Sequence, residues 1–143
     1  MRVFCCWIVL ATATMAWAQN EPCLAGTQDP GCGITVTTNP PLTTEENVFW
    51  VPNQITVEVP ARLHATRVVV LSGPTGTGVA DQFKPFVETK HYQKDGANMR
   101  FKVEVKSCPG SDNAFNVGIY SPRFPYPLSV LIQPFECKPQ AGR

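Results

Sequence analysis

The chain has 143 residues, 43% of them hydrophobic and 16% charged, and a formal net charge of +1. That length fits one domain with a core of its own, and the near balance of charge excludes a surface basic enough to hold nucleic acid or an anionic membrane by charge alone. Fourteen prolines argue against long helices, because each interior proline removes a hydrogen bond and clashes with the preceding turn.

The first 18 residues, MRVFCCWIVLATATMAWA, combine a positive start at Arg2, an apolar run over 3–11 and the small-x-small pattern Ala16-Trp17-Ala18. This predicts a secretory signal peptide, 1–18, cleaved after Ala18. Its apolar run falls short of the roughly 20 residues of a membrane span, and the terminal KPQAGR lacks the hydrophobic tail of a lipid-anchor signal. The expected product is soluble, secreted and extracellular. Residues 19–33, QNEPCLAGTQDPGCG, predict an irregular N-terminal arm tied by cysteines. Residues 34–143 form the predicted domain.

From there the apolar pattern has period two. "ITVTT" (34–38) and "NVFWV" (47–51) are short candidate strands. "QITVEV" (54–59) alternates with Ile55, Val57 and Val59 on one face. "RVVVLS" (67–72) has no polar face and predicts a central strand covered on both sides. "FVETKHY" (86–92) is a further short strand. "MRFKVEVK" (99–106) gives the clearest alternation, with Met99, Phe101, Val103 and Val105 inward and Arg100, Lys102, Glu104 and Lys106 outward. "AFNVGIYS" (114–121) and "PLSVLIQPF" (127–135) complete the set, and Pro-, Asn- and Gly-rich turns separate the strands. The fold class predicted is all-β: an antiparallel β-sandwich of immunoglobulin-like architecture.

Cleavage after Ala18 leaves Cys23, Cys32, Cys108 and Cys137. An even number in an exported domain predicts two disulfides, and no C-x-x-C pair suggests zinc or another metal. If 99–106, 114–121 and 127–135 form a meander, Cys108 and Cys137 emerge on the same side of the sheet. That favours Cys108–Cys137 with Cys23–Cys32, over a rival that joins the arm to the domain through Cys32–Cys137.

Gly73 and Gly78 follow a strand with the G-x-x-x-x-G spacing of a phosphate loop, but Val79 and Ala80 stand where the chemistry needs Lys and Ser or Thr. Pro85 would also break the helix that should face the anion. No nucleotide and no cofactor is expected. His64 and His91 read as surface histidines, no serine has a nucleophile signature, and Glu58, Glu88 and Glu104 fall on solvent-facing strand positions. No catalytic residue is assigned, and the chain reads as not an enzyme.

The candidate binding residues are aromatic and flanked by proline: Trp50 in "VFWVP" (48–52), and Arg123, Phe124 and Tyr126 in "SPRFPYP" (121–127). Proline stiffening lowers the ordering cost of binding, and Arg, Tyr and Trp are enriched at binding hot spots. The functional expectation is a secreted, non-enzymatic interaction module that recognises a protein or cell-surface partner through end loops of a β-sandwich. The alternative is an extracellular carrier of a small hydrophobic ligand held between the sheets, in a cavity lined by Val68, Val70, Phe101, Val103 and Ile119.

Overall fold

The computed structural model describes residues 32–42, 47–76, 78–132 and 134–140. The predicted signal peptide and residues 19–31 of the predicted arm, Cys23 among them, lie outside the described residues. The strands are β1 (Thr35–Asn39), β2 (Val48–Val51), β3 (Asn53–Pro60), β4 (Arg67–Gly73), β5 (Lys84–Thr89), β6 (Tyr92–Asp95), β7 (Asn98–Val105), β8 (Ala114–Tyr120), β9 (Leu128–Ile132) and β10 (Glu136–Pro139). Sheet I has the order β1-β3-β7-β6 and sheet II the order β5-β4-β8-β9. Both are antiparallel throughout. No helix of seven or more residues occurs among the described residues, so the molecule is all-β.

Alternation builds sheet I. In β3, Ile55, Val57 and Val59 have no exposure, and they face Val103, Phe101 and Met99 of β7 across the pair. The intervening residues point outward and pair by charge: Arg100 donates from Nε to Glu58 Oε1 at 3.0 Å and also meets Asp95 of β6. In sheet II, Val68 and Val70 of β4 face Ile119 and Val117 of β8, and all four are buried. Val69 points to the other face, opposite Gly118, yet is only 3% exposed. A Cβ on Gly118 would sit 3.4 Å from the Tyr120 ring and 3.6 Å from Leu71 Cδ1, so side chains of the same sheet close over this second face. The expectation of a strand buried on both sides holds at Val69, while Arg67 and Leu71 on the same face stay partly exposed.

The inward rows of both sheets belong to one buried cluster, which Phe49, Val51, Leu63, Leu128 and Phe135 extend. Its lower end is a triad of rings, with Phe115 centred 5.0 Å from Phe49 and 4.7 Å from Phe135. Each such apolar side chain taken fully out of water is worth about 1.5–3 kcal/mol, which makes this cluster the main cohesive element.

Three features differ from the sequence reading. "FVETKHY" is not one strand: β5 belongs to sheet II and β6 to sheet I, and the chain changes sheets at Lys90 and His91. Strand-forming residues run through the switch without a Gly or Pro to mark it. The β7-β8-β9 meander does not form either, because β7 lies in sheet I while β8 and β9 lie in sheet II. Finally, β2 and β10 pair in parallel, with Trp50 opposite Lys138.

The Cys108–Cys137 disulfide is present, with Cα atoms 5.7 Å apart, although the meander that suggested it is absent. Cys108 lies on the crossing from sheet I to sheet II, and Cys137 lies in β10, so the bond ties that crossing to the β2–β10 pair. Cys32 is also disulfide-bonded. Since Cys108 and Cys137 hold each other, the Cys32–Cys137 alternative is excluded, and the partner of Cys32 lies outside the described residues.

The glycine loop is a connection between β4 and β5, closed by a 3-10 turn at Ala80–Gln82. Gly76 and Gly78 have φ of 138° and 71°, where a side chain is disfavoured. Gly73 is glycine for a different reason: a Cβ there would lie 2.7 Å from the ring of Phe83. Pro85 sits on β5, an edge strand where a missing N–H costs least, beside a register shift between Val70 and Leu71.

Gly73→Ala should therefore destabilise by about 1–3 kcal/mol through overpacking, measured as a fall in urea midpoint. In a Phe83→Ala background the same change should cost much less. Replacing Cys108 and Cys137 together by serine should cost about 3–4 kcal/mol, the chain-entropy value for a loop of this size, read by thermal unfolding against the parent.

Candidate interaction surface

The ends of the strands decide which loops can act together. β3 ends at Pro60, which pairs with Asn98 at the start of β7, and β4 begins at Arg67, which pairs with Tyr120 at the end of β8. Residues 61–66, the β6–β7 turn and the loop 121–127 therefore share one end of the fold. The other end carries Asn53 opposite Val105 and Gly73 opposite Ala114.

Loop 121–127 is fixed at its root. Ser121 is buried, its Oγ donates to the Leu63 carbonyl at 2.6 Å, and it accepts from the Arg123 backbone N–H at 3.1 Å. The Phe124 N–H donates to the Ser121 carbonyl at 3.2 Å, closing a turn. Thr66 N–H donates to the Tyr120 carbonyl at 2.8 Å, a second tie between this loop and the β3–β4 connection. Pro122, Pro125 and Pro127 limit the backbone between these points.

The predicted site residues separate on this frame. Arg123 and Tyr126 are exposed, Tyr126 to 70%, whereas Phe124 is half-buried and packs against the core. These three lie together at the Ser121 end. Trp50 does not join them: it sits in β2 at the opposite end of the strands, half-buried, with its neighbours Phe49 and Val51 turned into the core. Phe49, Phe115 and Phe135, rather than Trp50, fill that end of the core.

Beside the loop lies a groove of about 530 Å³, walled by Ala61, Ala65, Met99 and Pro122 and carrying the polar groups of His64, Tyr92 and Lys94. Tyr92 is 45% exposed, and its ring lies 5.6 Å from Phe101. Tyr92 and Tyr126 are the large hydrophobic residues left exposed among those described, and both belong to this end. Tyr92 was missed because "FVETKHY" reads as one continuous strand, in which Tyr92 has no reason to be singled out. Its placement follows only from the change of sheet before it.

The histidines and glutamates take the following local positions. His64 caps the 3-10 turn Ala61–Leu63 in a left-handed conformation, its N–H donating to the Ala61 carbonyl at 3.0 Å. His91 is exposed, and its backbone N–H donates to Thr89 Oγ1 at 3.2 Å. Neither imidazole hydrogen-bonds to a serine or a carboxylate among the described residues. Glu58 pairs with Arg100 at 2.9 Å and Glu88 with Arg67 at 3.4 Å, both on outer faces. Arg67 also stacks on Tyr120, 4.1 Å from the ring centre. No cluster of metal-ligating side chains occurs among the described residues, and no helix there is long and apolar enough to cross a membrane.

No family model matches the sequence, and neither a curated protein nor a solved structure matches the chain.

Ser121→Ala removes a buried hydroxyl and leaves the Leu63 carbonyl short of a donor. It should cost about 1–3 kcal/mol. Hydrogen exchange at the Arg123 and Phe124 amides should quicken while exchange in β3 and β7 stays slow.

Proposed function

We propose that the chain, freed of its signal peptide, works outside the cell as a non-enzymatic binding module. In this reading sheets I and II face each other as a sandwich of immunoglobulin-like architecture, and the end built by residues 61–66, 92–98 and 121–127 meets a protein partner. One observation carries the proposal. Tyr126 stands 70% exposed on a loop whose prolines and buried Ser121 already hold it in place, so little ordering entropy is lost when a partner covers it.

The groove beside the loop supports the same assignment. Ala61, Ala65, Met99 and Pro122 offer it an apolar floor, and Lys94 and Tyr92 offer polar groups at the rim, the mixture that small recognition sites use. A partner segment bearing an aromatic or aliphatic side chain next to an acidic one suits it. The carrier alternative has less support: Val68, Val70, Phe101, Val103 and Ile119 are at most 2% exposed and pack within the shared cluster.

The test compares capture of extracellular and cell-surface proteins by the purified mature chain and its loop variants. Tyr126→Ala should leave the melting temperature unchanged while weakening the partner's affinity by roughly 30-fold, the scale of a binding hot spot. Phe124→Ala should lower both, because that ring also packs on the core. Equal capture by the parent and by a Phe124→Ala/Tyr126→Ala double variant would remove this surface as the binding site.

A further inference from the structure

Among the described residues the two four-stranded sheets have four edge strands, and an unguarded edge is a template for another strand. β5 is guarded by Lys84, Pro85, Glu88 and its register shift against β4. β6 is guarded by being four residues long and charged at Lys94 and Asp95. β9, Leu128-Ser129-Val130-Leu131-Ile132, is one residue longer than β6 and lacks the other protections. It carries no charge and no proline, and its register with β8 runs unbroken from Ile119↔Leu128 to Phe115↔Ile132.

The unguarded edge also adjoins incompletely covered apolar surface. β1, which carries no charged residue either, is the edge of sheet I on the same side. Between the two edges runs a groove of about 610 Å³ lined by Val36, Leu42, Val130, Leu131 and Ile132. Val36, Val130 and Ile132 pack on the core yet remain half-exposed.

We propose that β9 is a self-association edge, through which two copies of the chain pair antiparallel and join their second sheets into one continuous sheet. The sequence of β9 is its own complement. A twofold axis at Val130 sets Leu128 against Ile132 of the second copy and Ser129 against Leu131, so that no charge faces an apolar neighbour. Residues directly opposed in an antiparallel pair share a face. Leu128, Val130 and Ile132 of one copy thus extend the inward row of the other and cover the mouth of the groove. The backbone groups on the outer side of β9, which face no other strand among the described residues, gain partners in the same step. Because this contact is isologous it uses the β9 edge of both copies, and because β5, the far edge of the same sheet, is guarded, sheet II does not extend beyond the two copies.

The test is sedimentation of the mature chain across a concentration series into the high-micromolar range. The parent should dimerise. Ser129→Lys and Leu131→Lys, each on the outward face and partly exposed, should weaken the dimer by about tenfold or more, since each brings two like charges together near the axis. Circular dichroism and thermal unfolding identify any variant that fails to fold, and the other lysine variant then decides the matter. Tyr126→Ala should leave the dimer intact. Val130→Cys adds a positive test: on the axis its Cα atoms would lie about 4.5–5.5 Å apart, within disulfide reach. It should cross-link on mild oxidation where Gln93→Cys on β6 does not. A parent that stays monomeric, a dimer indifferent to both lysines, a dimer lost with Tyr126→Ala, or no cross-link at Val130 would each overturn the proposal.

Discussion

Val57 on β3 and Phe101 on β7 face each other with no solvent exposure, and Val68 and Val70 on β4 are buried in the same cluster. The fold depends on this sharing. Neither four-stranded sheet could stay in water with one apolar face uncovered, and alternation commits each strand to presenting that face. A slip of one residue between β3 and β7 would move Arg100, Lys102 and Glu104 inward and Met99, Phe101, Val103 and Val105 outward. The register is therefore held by burial more strongly than by any single hydrogen bond or ion pair. The surface pairs Glu58–Arg100 and Arg67–Glu88 are partly exposed and add little beside it.

Once the shared cluster fixes the sheets, what remains is how the chain passes between them. It does so at His64–Thr66, at Lys90–His91 and along the segment containing Cys108. The last is the longest of the three and carries the disulfide to Cys137. It joins the crossing to a parallel β2–β10 pair that belongs to neither large sheet. The bond and the Phe49–Phe115–Phe135 rings lie at the same end, so that end is cross-linked and filled. The opposite end holds the disulfide-bonded Cys32, whose carbonyl accepts from Arg62, and it keeps the open groove, the exposed tyrosines and the proline-rich loop.

This division explains what could be read from the sequence. Period-two burial is a local property, so β3, β7 and the doubly covered β4 were legible from side-chain order alone. Sheet membership is not local. Nothing in "FVETKHY" tells Phe86 and Tyr92 that they belong to different sheets, and nothing in 99–135 separates a meander from a crossing. The Cys108–Cys137 pairing was reached through a meander that does not exist, and it holds because β10 comes back beside the crossing. Of the candidate site, Arg123, Phe124 and Tyr126 were legible because they are contiguous in a stiff segment. Trp50 was grouped with them on residue type, which carries no information about which end of a strand a residue occupies. The anchoring role of Ser121 depends on Leu63, distant in sequence, and had no local signal.

β9 connects the two proposals geometrically. It begins at Leu128, directly after the loop that presents Tyr126, and runs away from that loop toward the end that holds Cys108–Cys137. Antiparallel pairing of two β9 strands therefore sets the two loops at opposite poles of the dimer. Two sites on one face would gain avidity on a single flat surface, whereas two sites at opposite poles engage separate partners. The physical consequence is that self-association would leave the affinity of each loop unchanged and make the protein a bridge between two bound molecules. The guarded edge at β5 suits that role, because it keeps sheet II from adding a third copy.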